Sequence, residues 1–329
     1  MEKFDKNMNK EIIQWSCGYL SSHGYALRSE LPEDVKDTPW SCVVRFSTTD
    51  GYIYLKQTPK LLGLEAQITQ ILHDQFHASV PEVIAHHAEL DCFLMKDAGR
   101  SLREVLKKQF DVALLCKSID QFTSMQLAVA DHIDIFLDIG VPDWRLDKLP
   151  NLYNQLLSKK DLLIADGLSE IEISELKTLT PKVSNLCQKL SGYSIKQSLV
   201  QPDFHDNNLL INETSQKITL IDLGEIVISH PFFSLVTCLQ QAKKHYGLTD
   251  KDAAYLDLMN ACLKNYGTLG AQQDLLEAFE MAQVLQFVYG ALATDRLMTA
   301  CGKEKLMSFQ PGKFGNSLRE LMAACIAID

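Results

Sequence analysis

Long apolar runs are missing from this sequence of 329 residues. The longest stretch without a charged side chain, 226–242, includes His230, Pro231 and two glutamines, whereas a membrane-spanning helix needs about 20 mostly apolar residues. Residues 1–25 mix acidic and basic side chains and contain no apolar segment typical of a secretory signal. We therefore expect a cytoplasmic protein without a membrane-spanning segment.

Paired cysteine motifs and an excess of positive charge are missing as well. The nine cysteines are scattered, without a CxxC pair or a Cys/His spacing typical of metal sites, which favours reduced thiols. The 32 Lys and Arg residues against 42 Asp and Glu give a net charge of −10, which repels polyanions. We expect no nucleic-acid partner, but a nucleotide held by one lysine and a metal ion is compatible with this charge.

The pattern of secondary structure changes once, near residue 97. Before that point the sequence predicts strands and two helices, at 8–22, 40–46, 52–57, 64–76, 83–85 and 92–95. After it the prediction is mainly helical, at 101–109, 114–137, 148–157, 170–190, 232–244, 252–266, 272–294 and 316–328, with one hairpin at 209–211 and 218–221. The prediction is an α+β fold in which a small antiparallel sheet with one packed helix, 1–97, precedes a larger helical part, 98–329.

Side chains suited to catalysis concentrate around the predicted hairpin. The loop before its first strand contains Asp203 and Asn208, and its second strand ends in Asp222, followed by Gly224. Carboxylate and amide oxygens suit Mg²⁺ that is bound together with substrate phosphates. The spacing D-x4-N followed by D-x-G is also that of the catalytic loop and metal-binding segment of kinases.

In their order, these segments resemble the aminoglycoside phosphotransferase and choline kinase family, from about residue 25 to about residue 295. Members carry a variant of H-G-D-x-H-x-x-N, then a strand and I-D-[WFL]-[GE]; the corresponding residues here are 201–208 and 221–224. The resemblance implies a bilobal protein-kinase-like fold. It also implies that Asp203 is the catalytic base and that Asn208 and Asp222 hold Mg²⁺ on the phosphates of ATP.

The amino-terminal part agrees with this interpretation. Lys56 lies on a predicted strand and Glu65 begins the following helix, as in the lysine and glutamate pair that binds the nucleotide phosphates in kinases. Met95 and Asp97 lie where the resemblance places the hinge that holds adenine with backbone groups. Without the downstream loop, Lys56 and Glu65 would read as solvated surface residues.

Three features depart from the family pattern. Gln201 and Pro202 replace His-Gly before the base, and Ser234 stands where relatives often carry an aspartate that anchors the catalytic loop. The expected phosphate loop, 31–39, contains no glycine, which argues against a protein kinase; Ser41 is the candidate for a phosphate contact there. By likeness to the family, His205 is expected to be structural rather than catalytic.

The resulting hypothesis is a kinase that transfers the γ-phosphoryl group of ATP, with Mg²⁺, to a hydroxyl of a small cationic acceptor. Aminoglycoside-like, choline-like and other amino-alcohol acceptors all stay open. Acidic residues on or just after one predicted helix would attract such a cation, although a merely solvated acidic face is the commoner explanation for such residues: Asp274, Glu277, Glu280 and Asp295. The alternative is a pseudokinase that binds a nucleotide or a partner without transfer, which Gln201-Pro202 and the glycine-free loop favour.

Overall fold

The computed structural model describes residues 9–327 and begins with a helix and an antiparallel sheet. The sheet has five strands in the order β1-β2-β3-β5-β4. The elements of this part are α1 (Lys10–Ser22), β1 (Glu33–Thr38), β2 (Ser41–Thr48), β3 (Gly51–Gln57), α2 (Glu65–Asp74), β4 (Val83–His87) and β5 (Cys92–Lys96). The segment 31–39, expected to be a loop, is therefore mostly the strand β1, and the hairpin turns at Pro39 and Trp40.

Alternating burial explains how the sheet forms. In β2 and β3, Val44, Phe46, Ile53 and Leu55 point to one face and are buried, as expected for strands with one covered face. Gly51 closes the hairpin with φ of +124°, a conformation that glycine adopts without steric cost.

The two helices of this region pack on different cores. The apolar side of α1 covers the sheet through Ile12 and Leu20, which share a cluster with the strands. The apolar side of α2, with Ile68 and Leu72, belongs instead to the large cluster of the helical part. Helix α2 therefore ties the sheet region to the rest of the chain, so the two regions share a core as well as a cleft.

Twelve helices form most of the rest of the described chain. They are α3 (Leu102–Lys108), α4 (Val112–Val129), α5 (Ile133–Asp138), α6 (Leu149–Ser158), α7 (Lys160–Ala165), α8 (Glu170–Thr178), α9 (Thr180–Ser191), α10 (Phe232–Tyr246), α11 (Ala253–Lys264), α12 (Gln272–Cys301), α13 (Lys303–Phe309) and α14 (Lys313–Ala327). Within residues 9–327, none of these or the earlier helices is both long and apolar enough to cross a membrane.

The structure divides two of the predicted helices. The prediction of one helix over 170–190 is wrong, because Pro181 has no backbone N–H and cannot continue a helix; it occupies the first turn of α9 instead. The predicted helix over 114–137 is also two, α4 and α5, separated by a turn at residues 130–132. Helices α7 and α13 were not predicted; Gly302, with φ of +90°, separates α13 from α12.

Short strands in the helical part hold the polar loop. The predicted hairpin is β8 (Leu209–Ile211) and β9 (Ile218–Leu220), joined by β6 (Arg100–Ser101). A second pair, β7 (Ser198–Val200) and β10 (Val227–Ser229), was not predicted and is antiparallel. The β7–β10 pair fixes both ends of the segment between residues 200 and 227, and the β8–β9 hairpin lies within that segment.

Candidate active site

Lys56, Glu65 and Asp222 form a buried charged cluster at the junction of the two regions. The Lys56 Nζ lies 2.8 Å from the Glu65 carboxylate and 2.5 Å from Asp222 Oδ1. The backbone N–H of Leu223 donates to Glu65 Oε1 at 3.0 Å. Burial alone would lower the pKa of Lys56, but the two carboxylates raise it above its ordinary value. The Lys56 ammonium group thus joins two carboxylates, of Glu65 and Asp222, that are far apart in sequence.

The backbone around Asp222 is shaped to make this contact. Asp222 has φ of +65° and ψ of +54°, a left-handed conformation that aspartate tolerates better than most residues. A Cβ on Gly224 would lie 3.1 Å from Glu65 Oε2 and 3.3 Å from the Leu62 carbonyl oxygen, so a side chain there would crowd α2. The D-x-G pattern therefore has a steric reason here.

Asp203 lies on the polar loop with both carboxylate oxygens held. His205 Nε2 lies 2.9 Å from Oδ1, and Asn208 Nδ2 donates to Oδ2 at 3.1 Å. Burial alone would raise the pKa of Asp203, but the hydrogen bond from His205 and the positive charge of Lys313 help to hold it below its ordinary value. The Asp203 side chain remains 56% exposed, so an ionised carboxylate faces solvent in a fixed orientation.

The residues that depart from the family pattern make hydrogen bonds of their own. Gln201 Nε2 donates to the carbonyl oxygens of Ile221 and Asp222, at 3.1 and 2.9 Å. The Ser234 hydroxyl accepts from the Gln201 backbone N–H at 2.8 Å and donates to the Gln201 carbonyl at 3.0 Å. The loop that carries Asp203 is thereby tied both to the segment of Asp222 and to α10.

A cavity of about 930 Å³ lies between the sheet and the helical part. The predicted residues that line it are Ser41, Lys56, Glu65, Met95, Asp97, Asn208 and Asp222. Asp203 is not part of this lining and contacts it through Asn208. Gly99 also lines the cavity, and a Cβ there would lie 2.3 Å from the Ile211 carbonyl oxygen, so the chain after Asp97 passes directly against β8.

Ser41 has a local structural partner. Its side chain is buried, and its hydroxyl lies 3.2 Å from the Thr38 hydroxyl across the β1–β2 turn. At the tip of this turn, the Trp40 ring stands edge to face against Phe309 of α13, with centroids 5.2 Å apart. The hairpin over the cavity therefore contacts the carboxyl-terminal helices.

The donors beside the cavity fit a hard divalent cation that is bound with phosphates. Among residues 9–327, no group of three or more His, Cys, Asp and Glu side chains is arranged to hold a metal ion. Asp222 and Asn208 supply one carboxylate and one amide group on the same wall. Mg²⁺ usually takes only one or two protein carboxylates and completes its shell with phosphates and water, so this sparse donor set suits it.

Glu225 and Arg103 are two further residues of the site that were not predicted from the sequence. Burial and the charges of Asp222 and Asp203 raise the pKa of Glu225 to about 8, against the opposing charges of Lys313 and Arg296. The one sequence signal that could have marked Glu225 as a site residue is its position directly after Asp222-Leu223-Gly224. Arg103, on α3, contacts Asp206 and His205 of the polar loop, and no sequence signal marks it.

Two of the four acidic residues of the predicted helix 272–294 and its end have partners within the protein. Asp295 forms an ion pair with Lys159 at 2.6 Å, and Glu277 accepts a hydrogen bond from Tyr193 at 3.1 Å. These two carboxylates are therefore engaged by side chains of the helical part.

Comparisons with known proteins agree with this arrangement. The model of the phosphotransferase enzyme family matches residues 35–269, while no curated protein matches the chain in sequence. Among solved structures, an ethanolamine kinase of Plasmodium vivax has a TM-score of 0.67 at 10% identity, covering 99% of this chain and 92% of that one. The choline kinase LicA of Streptococcus pneumoniae has a TM-score of 0.61 at 11% identity, covering 96% and 99%.

A third structure, the amicoumacin kinase hAmiN in complex with AMP-PNP, Ca²⁺ and its ligand, has a TM-score of 0.57 at 15% identity, covering 95% of this chain and 96% of that one. These likenesses confirm the predicted bilobal kinase-like fold. The family match spans well over half of the sequence and confirms the prediction of a phosphotransferase. The chain belongs to the phosphotransferase enzyme family.

Proposed function

We propose that this protein transfers the γ-phosphoryl group of ATP to a hydroxyl group of a small cationic acceptor. The observation that carries the proposal is the contact of Lys56 with both Glu65 and Asp222 on the wall of a large cleft. Asp203 lies on the loop that also carries Asn208, and a hydrogen bond from Asn208 joins its carboxylate to the cleft. A lysine, a base and a metal-binding carboxylate, which follow one another along the chain as Lys56, Asp203 and Asp222, are the parts of a phosphoryl-transfer site.

The nucleotide occupies the cavity in this proposal. Lys56 contacts the α- and β-phosphates and is positioned by Glu65, while the backbone near Met95 and Asp97 holds the adenine ring. Ser41 lies beneath the β1–β2 turn, where the phosphates would pass. AMP-PNP in the similarly folded amicoumacin kinase supports the choice of an adenine nucleotide. In functional terms, residues 1–97 form the nucleotide-binding lobe and residues 98–329 the acceptor-binding lobe.

Asn208 and Asp222 would hold Mg²⁺ against the phosphates. The ion supplies positive charge that neutralises the phosphate oxygens as negative charge moves toward the leaving group. The Lys56 ammonium already engages Asp222 Oδ1, so the lysine and the metal-binding carboxylate are positioned together.

Asp203 acts on the acceptor. Its ionised carboxylate accepts a hydrogen bond from the acceptor hydroxyl, orients the oxygen for in-line attack and takes the proton as the new O–P bond forms, while the bond from the γ-phosphorus to the β–γ bridging oxygen breaks and ADP leaves. Both of its oxygens are held by neighbours, which limits the conformations in which the hydroxyl can bind. Much of the rate enhancement in such a site comes from this positioning.

A cationic acceptor would be drawn to the carboxyl groups around Asp203. Asp222 and Asp203 lie close enough to Glu225 for their charges to raise its pKa, although the positive charges of Lys313 and Arg296 oppose them. The likeness in fold to ethanolamine and choline kinases is consistent with an amino alcohol. We place this reaction in the cytoplasm, where ATP is available.

The test is transfer from [γ-³²P]ATP to a panel of amino alcohols and matched neutral alcohols, with wild type and Asp203→Asn. We expect phosphorylation of at least one amino alcohol and a loss of about 10³-fold or more in kcat for the variant, since a general base contributes about 10²–10⁴-fold. The control is Asp161→Asn, an exposed aspartate on α7, which should leave turnover unchanged. Turnover that does not depend on Asp203 would contradict the assignment of the base.

The pseudokinase alternative makes a different prediction for the same protein. It requires stabilisation by Mg-ATP in a thermal shift assay without transfer to any acceptor. The hydrogen bonds of Gln201 and Ser234 favour transfer instead, because they compensate for the departures that suggested a degenerate site.

A further inference from the structure

We infer that Arg103 is a positioning residue for the catalytic loop. It selects the tautomer of His205 whose ring donates a hydrogen bond to Asp203, and His205 in turn orients Asp203. The inference rests on the proposed function of Asp203. It assigns a role to an arginine on α3, a helix that begins six residues after β5 ends.

Arg103 joins two residues of the loop. Its Nε and Nη2 donate to Asp206 Oδ1 at 3.0 and 2.7 Å, and Nη2 also lies 3.2 Å from His205 Nδ1. The second Asp206 oxygen accepts a hydrogen bond from the Tyr246 hydroxyl. Asp206 is buried, and although burial alone would raise its pKa, the hydrogen bonds from Arg103 and Tyr246 hold it below the ordinary value. The guanidinium therefore has a fixed, ionised anchor.

This arrangement selects one tautomer of His205. A guanidinium group has only donors, and the backbone N–H of Asn207 also points at Nδ1, at 3.1 Å. Nδ1 must therefore be the unprotonated acceptor, and the ring proton lies on Nε2. That proton is donated to Asp203 Oδ1 at 2.9 Å.

The consequence is a continuous relay of hydrogen bonds from a rigid helix to the exposed carboxylate. The His205 ring is only 8% exposed and Arg103 15%, whereas Asp203 is 56% exposed. Arg103 and His205, at the buried end of the relay, fix the orientation of the Asp203 carboxylate, which binds the acceptor at the exposed end. A displacement of about 1 Å in such a site can reduce the rate by about 10²-fold, so the relay should affect kcat more than nucleotide binding.

The first experiment compares Arg103→Lys with Arg103→Met. Lysine keeps a positive charge beside the buried Asp206. Its ammonium group lacks the planar, forked N–H donors with which the arginine contacts both Asp206 and His205. Methionine leaves the buried Asp206 carboxylate without a counter-charge and risks unfolding, so the lysine variant carries the test. We expect kcat to fall at least about tenfold, with the KM for ATP changed less than about threefold. The matched control is Lys108→Met, an exposed cation on the same helix, which should leave both constants unchanged.

Substitutions of His205 then show whether Arg103 acts through the ring. His205→Gln can accept from Arg103 and donate to Asp203, so it should keep more activity than His205→Leu. Arg103→Lys should lower kcat in the glutamine background but have little added effect in the leucine background. Equal, multiplicative effects in both backgrounds would overturn the inference, because Arg103 would then act by another route.

Histidine ¹⁵N spectra test the same relay without turnover. The His205 resonances are identified by their loss in His205→Gln, and we expect a protonated Nε2 and an unprotonated Nδ1 that shifts in Arg103→Lys. A protonated Nδ1, or no shift, would overturn the inference. If the spectra behave as expected but wild type transfers phosphate to no acceptor, the relay stands and the proposed function fails.

Discussion

Removing the Ser234 hydroxyl should destabilise the protein more than an ordinary serine substitution does. Ser234 and Gln201 are both fully buried, and the hydroxyl satisfies both the N–H and the carbonyl of Gln201. Ser234→Ala leaves these two backbone groups without their partner. Each buried unsatisfied group costs about 1–3 kcal/mol, and one fewer hydroxyl must be desolvated, so we expect a net loss of about 2–4 kcal/mol.

Restoring the aspartate that relatives often carry should not help. An ionised carboxylate at position 234 could accept from the Gln201 N–H but could not donate to the Gln201 carbonyl, which it would repel. Burying that charge is costly without a cationic partner. We therefore expect Ser234→Asp to be at least as unstable as Ser234→Ala, although it matches the family pattern.

Urea unfolding, followed by tryptophan fluorescence and circular dichroism, measures both effects. The control is Ser191→Ala at the exposed end of α9, where the hydroxyl bonds only to the Gln188 carbonyl; it should change the free energy of unfolding by less than about 0.5 kcal/mol. A Ser234→Ala variant as stable as this control would refute the reasoning. So would a Ser234→Asp variant more stable than wild type.

Three further predictions concern the cleft. Lys56→Met should weaken Mg-ATP binding at least about tenfold, because the variant leaves the carboxylates of Glu65 and Asp222 without their ammonium partner. The loss is measured as a smaller rise in Tm on addition of Mg-ATP; an unchanged rise would contradict the assignment of Lys56 to the nucleotide phosphates. Burial and neighbouring carboxylates raise the pKa of Glu225 to about 8, above the ordinary 4.5 or so of the unfolded chain, so the folded state binds more protons between these values and stability falls as pH rises through them. The Tm of Glu225→Gln should therefore change less than that of wild type between pH 5 and 8, and it should be higher than the wild-type Tm at pH 8.5. A Tm that follows the wild-type pH dependence in parallel would contradict this. Phe309→Ala removes the edge contact with Trp40, worth about 0.5–1.5 kcal/mol; we expect Mg-ATP to bind about two- to tenfold more weakly by calorimetry, and unchanged affinity would show that the hairpin tip is held without it.

Much of the fold followed from local patterns in the sequence. Alternating apolar residues and Gly51 predicted the β2–β3 hairpin, and helical periodicity predicted α2, α10 and α11 close to their observed limits. Errors occurred where local signals compete. Pro181 was included in one long helix although it starts a new one, and the glycine-free segment before Ser41 was expected to be a loop although β1 pairs with β2.

The motifs likewise marked Lys56, Glu65, Asp203, Asn208 and Asp222 as candidates, because their chemistry and order are visible in the chain. Their roles remain predictions until the variants are measured. The departures at positions 201 and 234 were also visible, but not their consequences. Whether a glutamine can take the place of a histidine depends on which carbonyl groups lie within reach of its amide.

The sequence by itself determined the family, the order of the candidate residues and the small number of candidate metal ligands. Only the tertiary structure decided that Arg103 reaches His205, that Ser234 satisfies Gln201, and that Glu225 lies among other carboxylates with a raised pKa. The physical reason is the range of the interactions. Turns and amphipathic helices depend on neighbours within a few positions, whereas a hydrogen-bond relay, a buried anchor and a pKa depend on groups that only folding brings together.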